Sequence, residues 1–178
     1  MSTTTTRRIG LLTVAALALG SGVAWAANPH FVGQVRNTGV SSNGSDTVTG
    51  KVAGLGGNAT VEVKVSANVV ALFACRNPGG NFPPGLQRTV NTQASASQTF
   101  TANGQFTFAL TLSPNPNFSC PGPMTRVLAC IEYKDKEATL TQKSSGRTLD
   151  TQRATPRSRE RIFLRDFANQ CRALGIGS

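Results

Sequence analysis

The sequence is poor in the side chains on which many catalytic and carbohydrate-binding sites depend. It has one tryptophan, one tyrosine and one histidine in 178 residues, and 8 acidic residues against 18 basic ones. The tryptophan, Trp25, lies in a segment that we expect to be removed, so the mature chain lacks the exposed indole rings of a sugar-binding surface. The shortage of aromatic rings also argues against specific nucleic-acid binding, because single strands are held by stacking on such rings.

His30 is a poor candidate for a catalytic base or a metal ligand. A catalytic triad needs a histidine within hydrogen-bond reach of a serine or cysteine, whereas His30 lies beside the expected mature N-terminus. If cleavage followed Ala27, His30 would be the third residue. Pro29 would still lack the N–H group that must ionise to complete square-planar nitrogen ligation. We expect no catalytic residues, no metal site and no cofactor.

The acidic residues are scattered, and most alternate with apolar residues as they would on outward strand faces. A glycosidase needs two carboxylates at a fixed separation, and a calcium site needs clustered oxygen ligands. Glu132 with Glu137 is the one pair that we retain, as a third-ranked hypothesis of a minor secreted hydrolase. The sequence therefore predicts a protein that is not an enzyme.

The first residues have the layout of a secretory signal peptide. Arg7 and Arg8 precede an apolar stretch from Ile9 to about Leu19, and small residues then lead to Ala26. The stretch is shorter than the roughly 20 residues that a membrane-spanning helix needs. We predict that residues 1–26 are cleaved after about Ala26 and that no transmembrane anchor remains. The product would be secreted, either extracellular or associated with the cell wall.

All four cysteines follow residue 26, and none forms a C-x-x-C motif. An even number of cysteines in an exported protein favours disulfide bonds over metal or redox chemistry. Three connectivities are possible. We favour Cys75 with Cys120 and Cys130 with Cys171, because Cys75 and Cys120 each begin a loop rich in proline and glycine.

A period of two dominates the mature chain. Apolar residues occupy the odd positions from Val61 to Cys75, which indicates a half-buried β-strand. Because most strands have ten residues or fewer, we predict a bend or bulge near Ser66–Asn68 and two separate strands. Asn103 and Gly104 favour the positive φ angles of a two-residue hairpin turn between two further strands.

Other segments also have strand character, and turn-forming residues separate them. These segments are 31–35, 47–52, 86–93, 124–133 and 137–142. Short strands with frequent turns predict an all-β fold, an immunoglobulin-like antiparallel β-sandwich of about seven to eight strands. We assign this domain to residues 27–143.

The composition changes after Lys143. Residues 144–178 are basic and polar, and we predict a linker followed by an amphipathic helix of about 16 residues with Thr155 and Pro156 at its start. Phe163, Phe167 and Cys171 recur at helical spacing. The segment either contacts an anionic surface or packs on the edge of the sandwich with a solvated basic face. The candidate basic surface consists of Arg153, Arg157, Arg159, Arg161 and Arg165.

The stretch "CRNPGGNFPPG" after the longest apolar run is a candidate binding loop. A disulfide at its base and two adjacent prolines would lower the entropy lost on binding. The alternative is a connection that only closes one end of the sandwich. The residues that it could present to a partner are Arg76, Asn77, Asn81, Phe82 and Arg88.

With its motifs "ANPHFVG", "CRNPGGNFPPG" and "CPGPMT", the sequence resembles a group of small exported bacterial proteins known mainly from actinobacteria. The resemblance covers roughly residues 27–134. It implies export, an immunoglobulin-like β domain and a bond between Cys75 and Cys120, and it supplies no catalytic residues. The arginine-rich end after about Lys143 departs from that group.

Taken together, these features predict an exported, non-enzymatic binding or envelope-associated module. Removal of Arg7 and Arg8 would leave a net charge of +8, so an anionic cell-envelope polymer or an extracellular protein is the expected partner. The alternative is a secreted protease inhibitor that presents residues 76–85 to an extracellular protease in extended form.

Overall fold

The computed structural model describes residues 28–177, so the predicted signal peptide lies outside the described residues. Within this range no helix is both long and apolar enough to span a membrane. The strands are β1 (His30–Phe31), β2 (Arg36–Val40), β3 (Asp46–Arg76), β4 (Gln87–Leu112), β5 (Thr125–Gln142), β6 (Thr148–Arg153) and β7 (Arg159–Ile162). A 3₁₀ turn (Arg165–Phe167) leads into the short helix α1 (Ala168–Ala173).

Two very long strands form the framework of the fold. Strand β3 has 31 residues and β4 has 26, and they pair antiparallel from Asp46 opposite Leu112 to Ala74 opposite Gln87. Their pairing is irregular between Ala53 and Ala59. At that point the long hairpin bends.

The bend folds the hairpin back on itself. The rings of Phe100 and Phe106 stack with centroids 4.3 Å apart, although six residues of a straight strand would separate them by about 20 Å. The first half of β3 pairs with β1 and β2, and the second half pairs with β5, which carries β6 and β7. Two layers thus face each other, and the predicted all-β sandwich is confirmed.

The odd-numbered apolar positions of β3 form the core as the sequence indicated. Val61, Val63, Val65 and Val69 are buried against Val48 and Val52 from the first half of the same strand. This packing follows from the bend, because the irregular segment 53–59 changes which face of β3 points inward.

The predicted hairpin turn at Asn103–Gly104 is wrong. The segments on either side of it pair with β3 and not with each other, since Ala102 lies opposite Ala59 and Gln105 lies opposite Ala53. Gly104 has a φ of 86° and lies at the bend of a continuous strand. The residues that favour a tight turn also favour a sharp bend, because both need positive φ.

The irregularity predicted near Ser66–Asn68 is present, but β3 does not end there. Asp135 and Lys136 of β5 together lie opposite Ala67, so the extra residue of this β-bulge is on β5. On its other side β3 pairs with β4 in unbroken register from Ala59 to Ala74. Strand β3 therefore continues to Arg76.

The C-terminal segment differs from the predicted linker and 16-residue helix. Residues 148–153 and 159–162 are edge strands, and the helix itself has 6 residues. Phe167 and Cys171 are buried as the helical spacing predicted, and with Ile176 they cover Leu72 and Ala74 on the outer face of β3. The interpretation of this end as a segment packed on the sandwich thus holds for the helix.

Both favoured disulfides are present, Cys75–Cys120 and Cys130–Cys171. The first ties the end of β3 to the connection between β4 and β5. The second ties β5 to α1, and both of its cysteines are fully buried in the second apolar cluster. The C-terminal helix is therefore covalently attached to the sheet that it covers.

Candidate binding surface

The predicted binding loop folds into compact turns. The N–H groups of Gly80 and Asn81 donate to the carbonyl and the side-chain oxygen of Asn77, at 2.9 and 2.8 Å. A second turn follows at Pro84 and Gly85. Asn77 thus uses its polar groups to hold the loop together, while Arg76 and Asn81 remain exposed.

Phe82 anchors the loop to the C-terminal segment. Its ring meets the ring of Phe167 edge to face, with centroids 5.1 Å apart. Arg88 lies beyond the loop on β4, and its side chain is exposed. The five loop residues that we selected therefore have different surroundings, and Phe82 serves mainly to attach the loop.

The five candidate arginines have different surroundings. The Arg159 guanidinium donates to the Asn37 side chain at 2.9 Å, and that of Arg161 donates to the Val40 carbonyl at 2.9 Å. These two arginines tie β7 to β2. Arg153 lies opposite Glu137 in the sheet. Arg157 and Arg165 are exposed.

The residues weighed for catalysis are separated or already engaged. His30 is exposed and bonds the Asn28 carbonyl through Nδ1 at 2.8 Å. Glu132 is buried and pairs with the Lys134 ammonium at 3.0 Å, so its expected outward, solvated position is wrong. Among residues 28–177 no three histidine, cysteine or acidic side chains are grouped in a way that could hold a metal ion.

The two sides of the sandwich are built differently. On one side, β1 and β2 are joined to β6 and β7. The Phe31 N–H donates to the Asp150 carboxylate at 2.8 Å, and the Thr155 N–H donates to the Val35 carbonyl at 2.9 Å. On the other side, β4 pairs with β3 alone within residues 28–177, so one of its edges is open along both layers.

The open edge of β4 lacks the usual protection against pairing. Natural edge strands carry lysines, prolines or other charges that prevent another strand from adding to them. Strand β4 has no proline, and Arg88 is its only charged residue among 26. Most of its other side chains are serine, threonine, asparagine, glutamine and alanine.

A groove of about 430 Å³ runs along this edge. Five consecutive residues, 88–92, line it, and consecutive strand residues point to opposite faces. A groove that touches all five must therefore lie beside the strand, and β3 already occupies the other side. Asn115, Asn117 and Phe118 form the far wall.

The far wall is held in place by Arg126 and by the first disulfide. The Arg126 guanidinium donates to the Phe118 carbonyl at 2.6 Å and lies over the rings of Phe73 and Phe118, 5.9 and 5.8 Å from their centroids. Cys120 follows two residues later in its bond to Cys75. Sequence reasoning missed Arg126 and the groove, because both depend on which strand has no second neighbour.

Sequence reasoning also missed a polar cluster inside the core. Asp46 and Lys136 form a fully buried ion pair, so Asp46 is an exception to the outward positions expected for most acidic residues. Beside them the buried hydroxyl of Tyr133 donates to the Gly44 carbonyl at 2.8 Å.

We expect Tyr133 to remain protonated above the pH at which exposed tyrosines ionise. Burial, and then the nearby Asp46 carboxylate, raise the pKa of its hydroxyl. Because an unfolded tyrosine loses its proton near pH 10 and the folded one does not, this contribution to stability is complete below about pH 10 and is lost above it.

Tyr133 is the only tyrosine, so ultraviolet phenolate absorbance reports on it alone. The absorbance should rise together with the loss of β-sheet circular dichroism in an alkaline titration. A rise near pH 10 in protein that is still folded would show that the hydroxyl is accessible.

No protein-family model and no curated protein matches the chain. Among solved structures, it is similar to a β-glucuronidase from Bacteroides uniformis, with 16% identity and a TM-score of 0.33 over 76% of this chain and 14% of that one. A glycosyl hydrolase family 2 member from Bacteroides cellulosilyticus DSM 14838 gives 13% identity and a TM-score of 0.32, over 70% and 15%. TM-scores this low define no shared activity.

Proposed function

We propose that this protein is an exported, non-enzymatic binding module, and that it binds an extended segment of another polypeptide as an added strand on the open edge of β4. The observation that carries the proposal is the groove beside residues 88–92, where a long edge strand with Arg88 as its one charged residue faces a fixed wall. Strand addition takes its affinity from main-chain hydrogen bonds and its specificity from side-chain pockets.

Export is supported by the two disulfides and by the signal-like start of the sequence. Disulfides persist in oxidising compartments and are rare in the cytosol. The cell envelope or the surrounding medium is therefore where we expect the partner. The net positive charge adds a nonspecific attraction to anionic polymers, and high salt weakens this attraction without breaking main-chain hydrogen bonds.

The groove offers a strand both polar and apolar contacts. Asn91, Asn115 and Asn117 provide amide groups, and Val90 and Phe118 provide apolar surface. We therefore expect a partner segment with alternating polar and apolar side chains. Compact turns in residues 76–85 fit less well with a protease inhibitor, which would present an extended stretch there.

A matched pair of variants tests this surface. Thr89→Lys with Asn91→Lys places two charges in the groove. Ser97→Lys with Thr99→Lys places the same two charges on exposed positions of the same strand, outside it. Immobilised mature protein would be incubated with the culture supernatant and the cell-wall fraction of the producing cell, at low and at high salt.

The wild type and the control should retain the same protein at high salt, and the groove variant should retain at least tenfold less. Hydrogen exchange of the β4 amides at 88–92 should slow on capture. Equal retention by both double variants would overturn strand addition. Loss of retention with Arg76→Ala alone would assign binding to the loop instead.

A further inference from the structure

Asp46 and Lys136 meet in the middle of the protein, where neither side chain is exposed to solvent. The Lys136 ammonium nitrogen lies 2.8 Å from Oδ2 of Asp46, and both side chains have an exposed fraction of 0%. Asp46 begins β3, whereas Lys136 sits in the bulge of β5. The pair therefore joins the two layers of the sandwich.

Gly39 and Tyr133 supply further contacts to this pair. The Gly39 N–H donates to Oδ1 of Asp46 at 3.2 Å. Nζ of Lys136 lies 5.5 Å from the centre of the Tyr133 ring and 3.4 Å from its carbonyl oxygen. Within residues 28–177 the polar contact of Oδ2 of Asp46 is the Lys136 ammonium.

Burial favours the neutral form of Lys136. Desolvation lowers the pKa of Lys136, against the attraction of the Asp46 carboxylate, which raises it. The nearby charges have weaker effects: Arg159 lowers the pKa of Lys136, and Glu132 raises it. Transfer of one proton from nitrogen to oxygen would leave an amine in contact with a carboxylic acid and would remove both buried charges.

We propose that Lys136 and Asp46 condense to an intramolecular amide bond, which makes this pair a site of self-modification. The neutral Nζ attacks Cγ of the protonated Asp46 side chain, and an Nζ–Cγ bond forms. The Gly39 N–H stabilises the negative oxygen of the tetrahedral intermediate, as backbone donors do in acyl transfer. The Cγ–Oδ2 bond then breaks, the hydroxyl takes a proton from Nζ, and one water molecule leaves.

Atoms and electrons balance without an oxidant, a reductant or a cofactor. Amides form slowly between free amines and acids in water, but two groups held in contact react as if their concentrations were about 10⁵–10⁸ M. The burial of both side chains also favours condensation, because water is a product. The bond would add a cross-link between the layers that reducing agents do not break.

Mass spectrometry of the mature wild-type protein tests this inference directly. After reduction of both disulfides, we expect the intact mass to fall short of the sequence mass by one water molecule. Trypsin should no longer cleave after Lys136. It should release peptide 37–51 joined to peptide 135–143 as one branched species. A full sequence mass with separate peptides would overturn the proposal.

Lys136→Arg provides the matched control. Arginine keeps the positive charge opposite Asp46, but its guanidinium is a poor nucleophile and stays protonated. This variant should have its full sequence mass and give separate peptides. A missing water that persists in Lys136→Arg would place the condensation at another pair of residues and would overturn the assignment.

Discussion

Asp46→Leu is expected to destabilise the protein by about 3–5 kcal/mol, because it leaves the Lys136 ammonium buried without a partner. Lys136 has no exposed surface, and within residues 28–177 it also contacts the carbonyl and the ring of Tyr133. Neither contact replaces a carboxylate. An amide bond between the two side chains would enlarge the loss, since the variant would lack a cross-link as well as an ion pair.

The double variant Asp46→Leu with Lys136→Met separates the buried charge from the packing. It removes both charges and places two apolar side chains in contact, and apolar replacements of buried ion pairs are often neutral or stabilising. We expect most of the lost free energy of unfolding to return, as measured by guanidinium denaturation. A double variant as unstable as the single one would mean that packing, and not the unpaired charge, accounts for the loss.

The sequence predicted the fold class well because a buried strand face produces a signal that local rules can read. The alternating valines from Val61 to Val69 point into the core as predicted. Whether a strand ends or only bends was harder to predict from the sequence. Asn103–Gly104 has the composition of a turn, and only the pairing of both flanking segments with β3 shows that it is a bend.

Strands β6 and β7 were missed because their stability comes from their neighbours. Arg159 and Arg161 lie in a sequence with the composition of a solvated linker, yet their guanidinium groups bond Asn37 and Val40 of β2. An edge strand of this kind needs few apolar residues. Local composition therefore predicts no strand there, whereas the tertiary contacts specify one.

The buried pair was missed for a related reason. Counting outward from Tyr133 in steps of two places Lys136 on the solvent face, whereas counting back from Leu140 and Ala138 places it inside. A change of phase between two buried runs on one strand indicates a bulge between them. The bulge at Asp135 and Lys136 accounts for the change of phase. The change of phase was therefore the sequence signal that could have placed Lys136 inside.

Removal of the Cys130–Cys171 bond by replacing both cysteines with alanine should cost about 4 kcal/mol on the chain-entropy estimate, for a sequence separation of 41. Removal of Cys75–Cys120, with a separation of 45, should cost about the same on that estimate. The two variants should nevertheless differ in where the protein loosens. Denaturant unfolding measures the loss of stability, and hydrogen exchange shows which segments loosen.

The difference follows from what each bond anchors. Without Cys130–Cys171, residues 163–177 are attached mainly by Phe167 and Ile176, so their amides should exchange faster than those of β3. Phe82 then loses a fixed partner, and the loop at 76–85 should loosen with the helix. Without Cys75–Cys120, the far wall of the groove should loosen while the C-terminal amides stay protected. If the C-terminal amides were equally protected in both variants, apolar packing and not the disulfide would hold α1 on the sheet.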